Sequence, residues 1–313
     1  MNLEACLPPE LRGPATTISR IAAGLSGAGV YRVDAAGGSF VLKVAADNES
    51  AADWHRTLQI QKLAAAAGLA PRVVHVDESR RAVLTAFVAD RSFIAFYRDP
   101  RTHHTALTQL GRTVRRIHAL PPPDDAPRRD PRELLAQVWG GLHADFLLPE
   151  FVSDVITTLL AVEPPARERE LVLGHNDLNP SNLVYDGESI LMLDWATAGP
   201  MDPLYDLGVL SVFLRMDKDT SLGLLSAYEG AQCAELSARL LYIRRLAAVL
   251  SGTFQLHLAR QLQHPGATTA VASASMLTLG EFYLQLRDGK LRLGTADGQW
   301  AFGLALLQES RAL

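Results

Sequence analysis

The chain has 313 residues, 48% of them hydrophobic and 20% charged, with a formal net charge of −4. That balance suits a folded protein with a sizeable core, and its slight acidity excludes a general nucleic-acid binder while favouring small cationic partners. Lysine occurs only at 43, 62, 218 and 290, and the two cysteines, Cys6 and Cys233, lie too far apart in sequence to suggest a disulfide framework or a metal spacing. No charged segment precedes an apolar one at the start, and no uncharged apolar run reaches about eighteen residues, so a cytoplasmic protein without a membrane span is expected.

Residues 1–15 contain Pro8, Pro9 and Pro14 and predict an irregular lead-in. A strand over about 16–23, marked by Ile18 and Ile21, runs into Gly24-Leu-Ser26-Gly27-Ala-Gly29. Strands at 30–33 and 40–44 follow, joined by a turn at 35–38. Glycines at such a hairpin tip let backbone N–H groups approach phosphate oxygens, although no helix follows directly as it would in a P-loop or Rossmann fingerprint. Lys43 stands inside the apolar strand. By alternation it shares a face with Val41, while Phe40 and Leu42 point the other way. A helix over 50–67 turns Trp54 and Leu58 inward and ends at Gly68 and Pro71. Strands are expected at 72–76 and 82–88.

The remainder reads as helical. Leu107, Leu110, Val114 and Ile117 form a buried stripe, with His118 as a packing residue. The charged run before Arg132 is a solvated loop. Helices are expected at about 132–143 and 150–162, then from near Leu207 with Asp206 as its cap, and at about 218–230, 234–263, 268–287 and 297–311.

Residues 171–207, LVLGHNDLNPSNLVYDGESILMLDWATAGPMDPLYDL, organise the rest. The run reads strand, polar loop, strand, Asp186–Gly187 turn, strand, acid. His175, Asp177 and Asn182 form an H-x-D-x4-N cluster in which Pro180 forbids a helix interior. Asp194 ends the last apolar run, and because a hairpin returns the chain to its start, Asp177, Asn182 and Asp194 should gather at one mouth. Phosphoryl transfer needs such a set: one carboxylate to orient a hydroxyl, here Asp177, and hard oxygen ligands for Mg²⁺ on nucleotide phosphates, here Asn182 and Asp194.

This stretch resembles the aminoglycoside phosphotransferase and choline kinase group, relatives of the protein kinases. The resemblance rests on His175-Asn-Asp177 through Asn182, then Leu193-Asp194-Trp195, then Gly199-Pro-Met-Asp202 through Asp206-Leu207. It implies an α+β, protein kinase-like two-lobe fold, with an antiparallel-sheet lobe over residues 1–88 and a mostly helical lobe over 89–313. It implies a kinase that moves the γ-phosphoryl group of ATP or GTP, with Mg²⁺, to a hydroxyl of a small cationic molecule. Gly24, Ser26, Gly27, Gly29 and Lys43 would hold phosphates, backbone groups near Phe87 and Val88 would receive the base, and His175 would brace the loop.

Two departures stand out. The glutamate that relatives place on the first helix to pair the strand lysine is missing, leaving Gln59, Asp53 or no partner for Lys43. Ala196 follows Asp-Trp where choline and thiamine kinase-like members carry Glu, although the Gly24–Gly27 tip looks more like theirs. Acids and aromatics suited to an amine acceptor are Asp202, Tyr205, Tyr228, Glu229, Glu281, Tyr283 and Trp300. Amino-alcohol or thiamine-type metabolites and aminoglycoside-type antibiotics are both candidate acceptors. The rival reading is a nucleotide-binding pseudokinase acting as regulator or scaffold, which a turnover assay separates.

Overall fold

The computed structural model describes residues 2–21, 28–142, 146–267 and 276–313. A five-stranded antiparallel sheet comes first, in the order β1 (Thr17–Arg20), β2 (Gly29–Ala35), β3 (Gly38–Val44), β5 (Ala82–Ala86), β4 (Val73–Asp77), with α1 (Ala51–Ala66) between β3 and β4 in the chain. β1 and β2 pair as an antiparallel hairpin, Arg20 opposite Tyr31. Gly24, Ser26 and Gly27 lie outside the described residues. Gly29 does not: the Tyr31 ring folds over it so closely that a Cβ would stand 2.8 Å from Cε2, and a side chain there would require the ring to shift.

Alternation gives the sheet two chemistries. Phe40, Leu42 and Val44 of β3 face a core with Val33, Ala82 and Leu84. Val41 and Lys43 take the opposite face, where Val83, opposite Lys43 in register, packs with Trp54 and Leu58 of α1. The expected irregular lead-in is in fact part of this core. Short 3-10 turns at Leu3–Cys6 and Pro9–Leu11 carry Cys6, Leu7 and Leu11 onto the Phe40 face, and Pro8 and Pro9 fit because such turns need few backbone donors.

The chain continues through α2 (Phe93–Arg98), α3 (His103–His118), α4 (Pro131–Leu142) and α5 (Glu150–Ala161), then β6 (Val172–Gly174), the hairpin β7 (Leu183–Tyr185) and β8 (Ile190–Met192), and β9 (Gly199–Met201). It ends with α6 (Pro203–Phe213), α7 (Lys218–Glu229), α8 (Ala238–Gln261), α9 (Leu279–Arg287) and α10 (Ala296–Glu309). Of the helix expected at 268–287, residues 268–275 lie outside the described residues. Among the described residues no helix is long and apolar enough to cross a membrane.

Packing groups the chain differently from lobes of 1–88 and 89–313. One compact unit holds residues 1–127, 172–200 and 222–233; the other holds 128–171, 201–221 and 234–313. The first contains the sheet, α3 and the β7–β8 hairpin. There the expected stripe Leu107, Leu110, Val114 and Ile117 is buried, and His118 packs with its Nδ1 2.9 Å from the Tyr228 hydroxyl. The second is built on α8, against which α4, α6 and α10 pack. Its α6 begins four residues earlier than expected. Asp202, not Asp206, is the cap, accepting the Leu204 N–H at 2.9 Å, because Pro203 sits favourably at the first helical position; Asp206 is buried within the first turn.

Leu7 is fully buried against the sheet. Leu7→Ala should lower unfolding free energy by about 2–5 kcal/mol, measured from denaturant midpoints. A loss below about 0.5 kcal/mol would show that the lead-in contributes nothing to the core.

Candidate active site

The loop between β6 and β7 is built from residues that prefer turns, and each has a task. His175 is fully buried; its Nε2 donates to the Leu193 carbonyl at 2.9 Å, its Nδ1 accepts the Asp177 N–H at 3.4 Å, and its ring lies 4.8 Å from that of Trp195. Trp195 is fixed in turn by its indole N–H, which reaches the Met192 carbonyl at 3.2 Å. Asn176 adopts φ +68°, a left-handed conformation that Asn tolerates well, and its amide donates to the Thr197 carbonyl at 2.9 Å. Thr197 returns a hydrogen bond to the His175 carbonyl at 3.0 Å.

The carboxylate of Asp177 is gripped by two neutral amides. Asn179 Nδ2 donates to Oδ1 at 2.9 Å, and Asn182 Nδ2 donates to Oδ2 at 2.8 Å and to the Asp177 backbone carbonyl at 2.9 Å. Both partners of Asn182 are acceptors, so its nitrogen must face them. The amide oxygen is the atom left for a cation. Leu193 N–H donates to the Asn182 carbonyl at 2.8 Å, extending the β7–β8 register by one step and setting Asp194 beside the amide's own residue.

Asp194 also adopts a left-handed φ, +55°, at the exit of β8. Non-glycine residues held there cost on the order of 1–2 kcal/mol and cluster at functional sites. Its Oδ1 accepts from Lys43 Nζ at 2.7 Å, a pair 151 positions apart in sequence. Burial pushes the Asp194 carboxyl up, but the Lys43 ammonium overrides it, helped by the Ala196 N–H, and holds the group below its ordinary value. Asp177 goes the other way: burial raises its carboxyl, and the charge of Asp194 adds to the rise against the hydrogen bonds from the two amides.

The structure thus brings His175, Asp177, Asn182, Asp194 and Lys43 together. The departure at the first helix is resolved for this state, since Gln59 is exposed, Asp53 bonds Ser50 and Arg56, and Lys43 turns to Asp194. Sequence reading missed two residues. Asn179 looked like a turn former only. Glu49, before α1, lies in the field of Lys43 and Asp194, with its carboxyl raised by burial.

Other expected site residues have different surroundings. The Phe87 N–H donates to the Ser39 carbonyl at 3.1 Å and its ring lies 4.4 Å from the Arg32 guanidinium, so its amide is committed to the sheet and cannot receive a base. Val88 follows in the connecting segment, which then docks on β7: the Asp90 carboxylate accepts the Tyr185 N–H at 3.0 Å, and the Arg91 N–H reaches the Tyr185 carbonyl at 2.7 Å. In the second unit Asp202 is paired with Arg239 at 2.6 Å besides capping α6, and Glu281 closes a capping box with Thr278. Tyr205 is buried, the Tyr283 hydroxyl donates to the Phe213 carbonyl at 3.3 Å, and Trp300 stacks on His264 at 4.4 Å. Glu229, at the end of α7 in the first unit, accepts Arg115 at its carbonyl.

The donor set is two acids and an amide oxygen. Among the described residues no group of three or more His, Cys, Asp or Glu side chains could hold a metal ion. Asn182 and Asp194 could share a cation only with ligands from elsewhere, which fits Mg²⁺, a hard ion that keeps waters and nucleotide phosphates in its shell.

An antiparallel sheet carrying a lysine, followed by a base-like aspartate and a second aspartate after a hairpin, defines a protein kinase-like fold. The sequence matches the model of the phosphotransferase enzyme family over residues 17–242, and the chain belongs to that family. Among solved structures it is similar to a choline/ethanolamine kinase family protein from Mesorhizobium loti, with 21% identity, 97% of this chain and 95% of that one covered, and a TM-score of 0.60. It is also similar to an aminoglycoside-3'-phosphotransferase of type VIII, with 22% identity, 76% and 94% covered, and a TM-score of 0.55. A third is LicA, the choline kinase of Streptococcus pneumoniae, in complex with AMP, with 12% identity, 96% and 94% covered, and a TM-score of 0.58. Comparison with curated proteins finds no match.

Asp194 has a depressed carboxyl, so the stability it draws from Lys43 is present above the unfolded carboxylate range and is lost as pH falls through the folded value. Lys43→Met should lower stability near pH 7 by about 1 kcal/mol, a figure kept small because the two side chains are 32% and 36% exposed. Denaturant midpoints should converge for the two proteins as pH falls below the ordinary carboxylate range and through the lowered Asp194 value. A gap independent of pH would contradict the pairing.

Proposed function

We propose that the protein transfers the γ-phosphoryl group of ATP or GTP to a hydroxyl of a small cationic molecule, an amino-alcohol, a thiamine-like metabolite or an aminoglycoside-type antibiotic. The observation that carries this reading is the grip of Asn182 on Asp177, which fixes a carboxylate and leaves the amide oxygen as the atom that would meet a cation. Asp177 orients the acceptor hydroxyl and takes its proton. Its raised carboxyl suits a base better than an ordinary surface aspartate would. Asn182 and Asp194 hold Mg²⁺, which when bound neutralises charge on the nucleotide phosphate oxygens. Lys43 holds phosphate with its ammonium, assisted by Gly29 and the tip at Gly24, Ser26 and Gly27. The base is received by backbone groups at Val88 and the Phe87 carbonyl.

The family match supports phosphoryl transfer, and the AMP in the LicA structure supports a nucleotide as donor. The small cationic acceptor rests on the net charge of −4 and on the similarity to a choline/ethanolamine kinase family protein and an aminoglycoside phosphotransferase. Asp202 and Glu281, candidates for the acceptor's charge, also serve the fold, Asp202 through Arg239 and Glu281 through the capping box with Thr278.

Asp177→Asn should lower turnover about 10²–10⁴-fold while nucleotide affinity stays within about twofold. The measurement is Mg²⁺-dependent nucleotide turnover across a panel of amino-alcohols, thiamine and aminoglycosides. Equal turnover in the folded variant, or a wild-type protein that binds nucleotide and phosphorylates nothing in the panel, would contradict the proposal.

A further inference from the structure

The two oxygens of Asp177 are not equivalent. Oδ2 accepts at 2.8 Å from Asn182, the residue whose amide oxygen would face the cation in the reading above. Among the described residues the hydrogen bond on Oδ1 comes from Asn179 alone, at 2.9 Å. A carboxylate oxygen accepts more than one hydrogen bond, so Oδ1 has capacity left for an acceptor hydroxyl while Asn179 occupies one direction.

Asn179 cannot swing freely. Its own Oδ1 caps the 3-10 turn Pro180–Asn182, accepting the Ser181 N–H at 3.0 Å and the Ser181 hydroxyl. Flipping the amide would set its NH₂ against the Ser181 N–H, donor against donor. Its backbone is also tied, the N–H donating to the Asp177 carbonyl at 2.9 Å and the carbonyl accepting the Asn182 N–H at 3.0 Å. The turn thus dictates which end of the amide faces Asp177.

From this arrangement we infer that Asn179 is a positioning residue: it aims the Asp177 oxygen that meets the acceptor hydroxyl. The inference rests on the phosphotransferase reading above, in which Asp177 serves as base. A neutral donor suits this task. It fixes direction without the added positive charge that would make the carboxylate a weaker base. A misplacement of about 1 Å at a reacting group can cost on the order of a hundredfold in rate.

The capping and aiming halves of the side chain can be separated. Asn179→Ser and Asn179→Asp both keep an oxygen that caps Ser181, but neither presents an amide donor to Asp177. The inference predicts a kcat lowered about tenfold to a hundredfold in Asn179→Ser, more in Asn179→Asp where two carboxylates face each other, with nucleotide KM within about twofold and unchanged melting temperatures. A purely structural role predicts wild-type kcat in both, because the cap survives, and that result would overturn the inference. Crystal structures of wild type and Asn179→Ser decide the point independently of any acceptor: the Asp177 carboxylate should rotate in the variant, and an unmoved carboxylate would overturn it. A wild-type protein that phosphorylates nothing in the panel would instead defeat the phosphotransferase reading, and the two failures remain distinct.

Discussion

Leu193 is held at both of its backbone groups, and the site depends on that junction. Its N–H goes to the Asn182 carbonyl and its carbonyl receives His175 Nε2. One residue therefore ties the polar loop, the start of β7 and the exit of β8 to each other, and the side chains next to these anchors are the ones with chemistry. Leu193 is half-buried, so leaving its backbone groups without partners would cost free energy and favours this geometry. The Trp195 ring against His175 and the Asn176–Thr197 exchange make the same closure redundant.

Around the junction, two aspartates are driven apart by their surroundings. Asp194 is buried beside an ammonium that holds it as a carboxylate; Asp177 is raised by burial and by the charge of Asp194, against the lowering effect of Asn179, His175 and Asn182. Pairs of titratable groups pushed in opposite directions mark a division between a charge-holding and a proton-handling role. Lys43 takes part in this division in the described state, since its ammonium offsets the burial of Asp194. Glu49 is a second acid in the field of both Lys43 and Asp194.

Much of this was legible in sequence because it is local. The Asp186–Gly187 turn, the apolar runs on either side and the alternation of β3 specify the hairpin and the face that carries Lys43. What was not legible depended on contacts at long range or on competition between neighbours. Lys43 and Asp194 meet across most of the first compact unit's sequence, and no spacing rule announces them. Asp206 was read as the cap, but Pro203 at the first helical position moves the helix start back and gives that role to Asp202. Proline in the lead-in read only as a block to regular structure because a chain cannot show that Leu7 has a sheet face to cover. Asn179 was hidden by its own chemistry, for a turn-forming amide and a base-aiming amide look alike until the turn is folded.

The claim that matters most is that Asn182 and Asp194 serve one divalent ion beside a free base. Paramagnetic titration of Mn²⁺ in the presence of nucleotide, on wild type, Asn182→Leu and Asp194→Asn, measures it directly. Each substitution should weaken nucleotide-dependent Mn²⁺ binding by at least about tenfold, and the double variant should lose less than the two losses combined, as residues sharing one ligand do. Wild-type Mn²⁺ affinity in either single variant, with its fold intact by circular dichroism, would contradict the account.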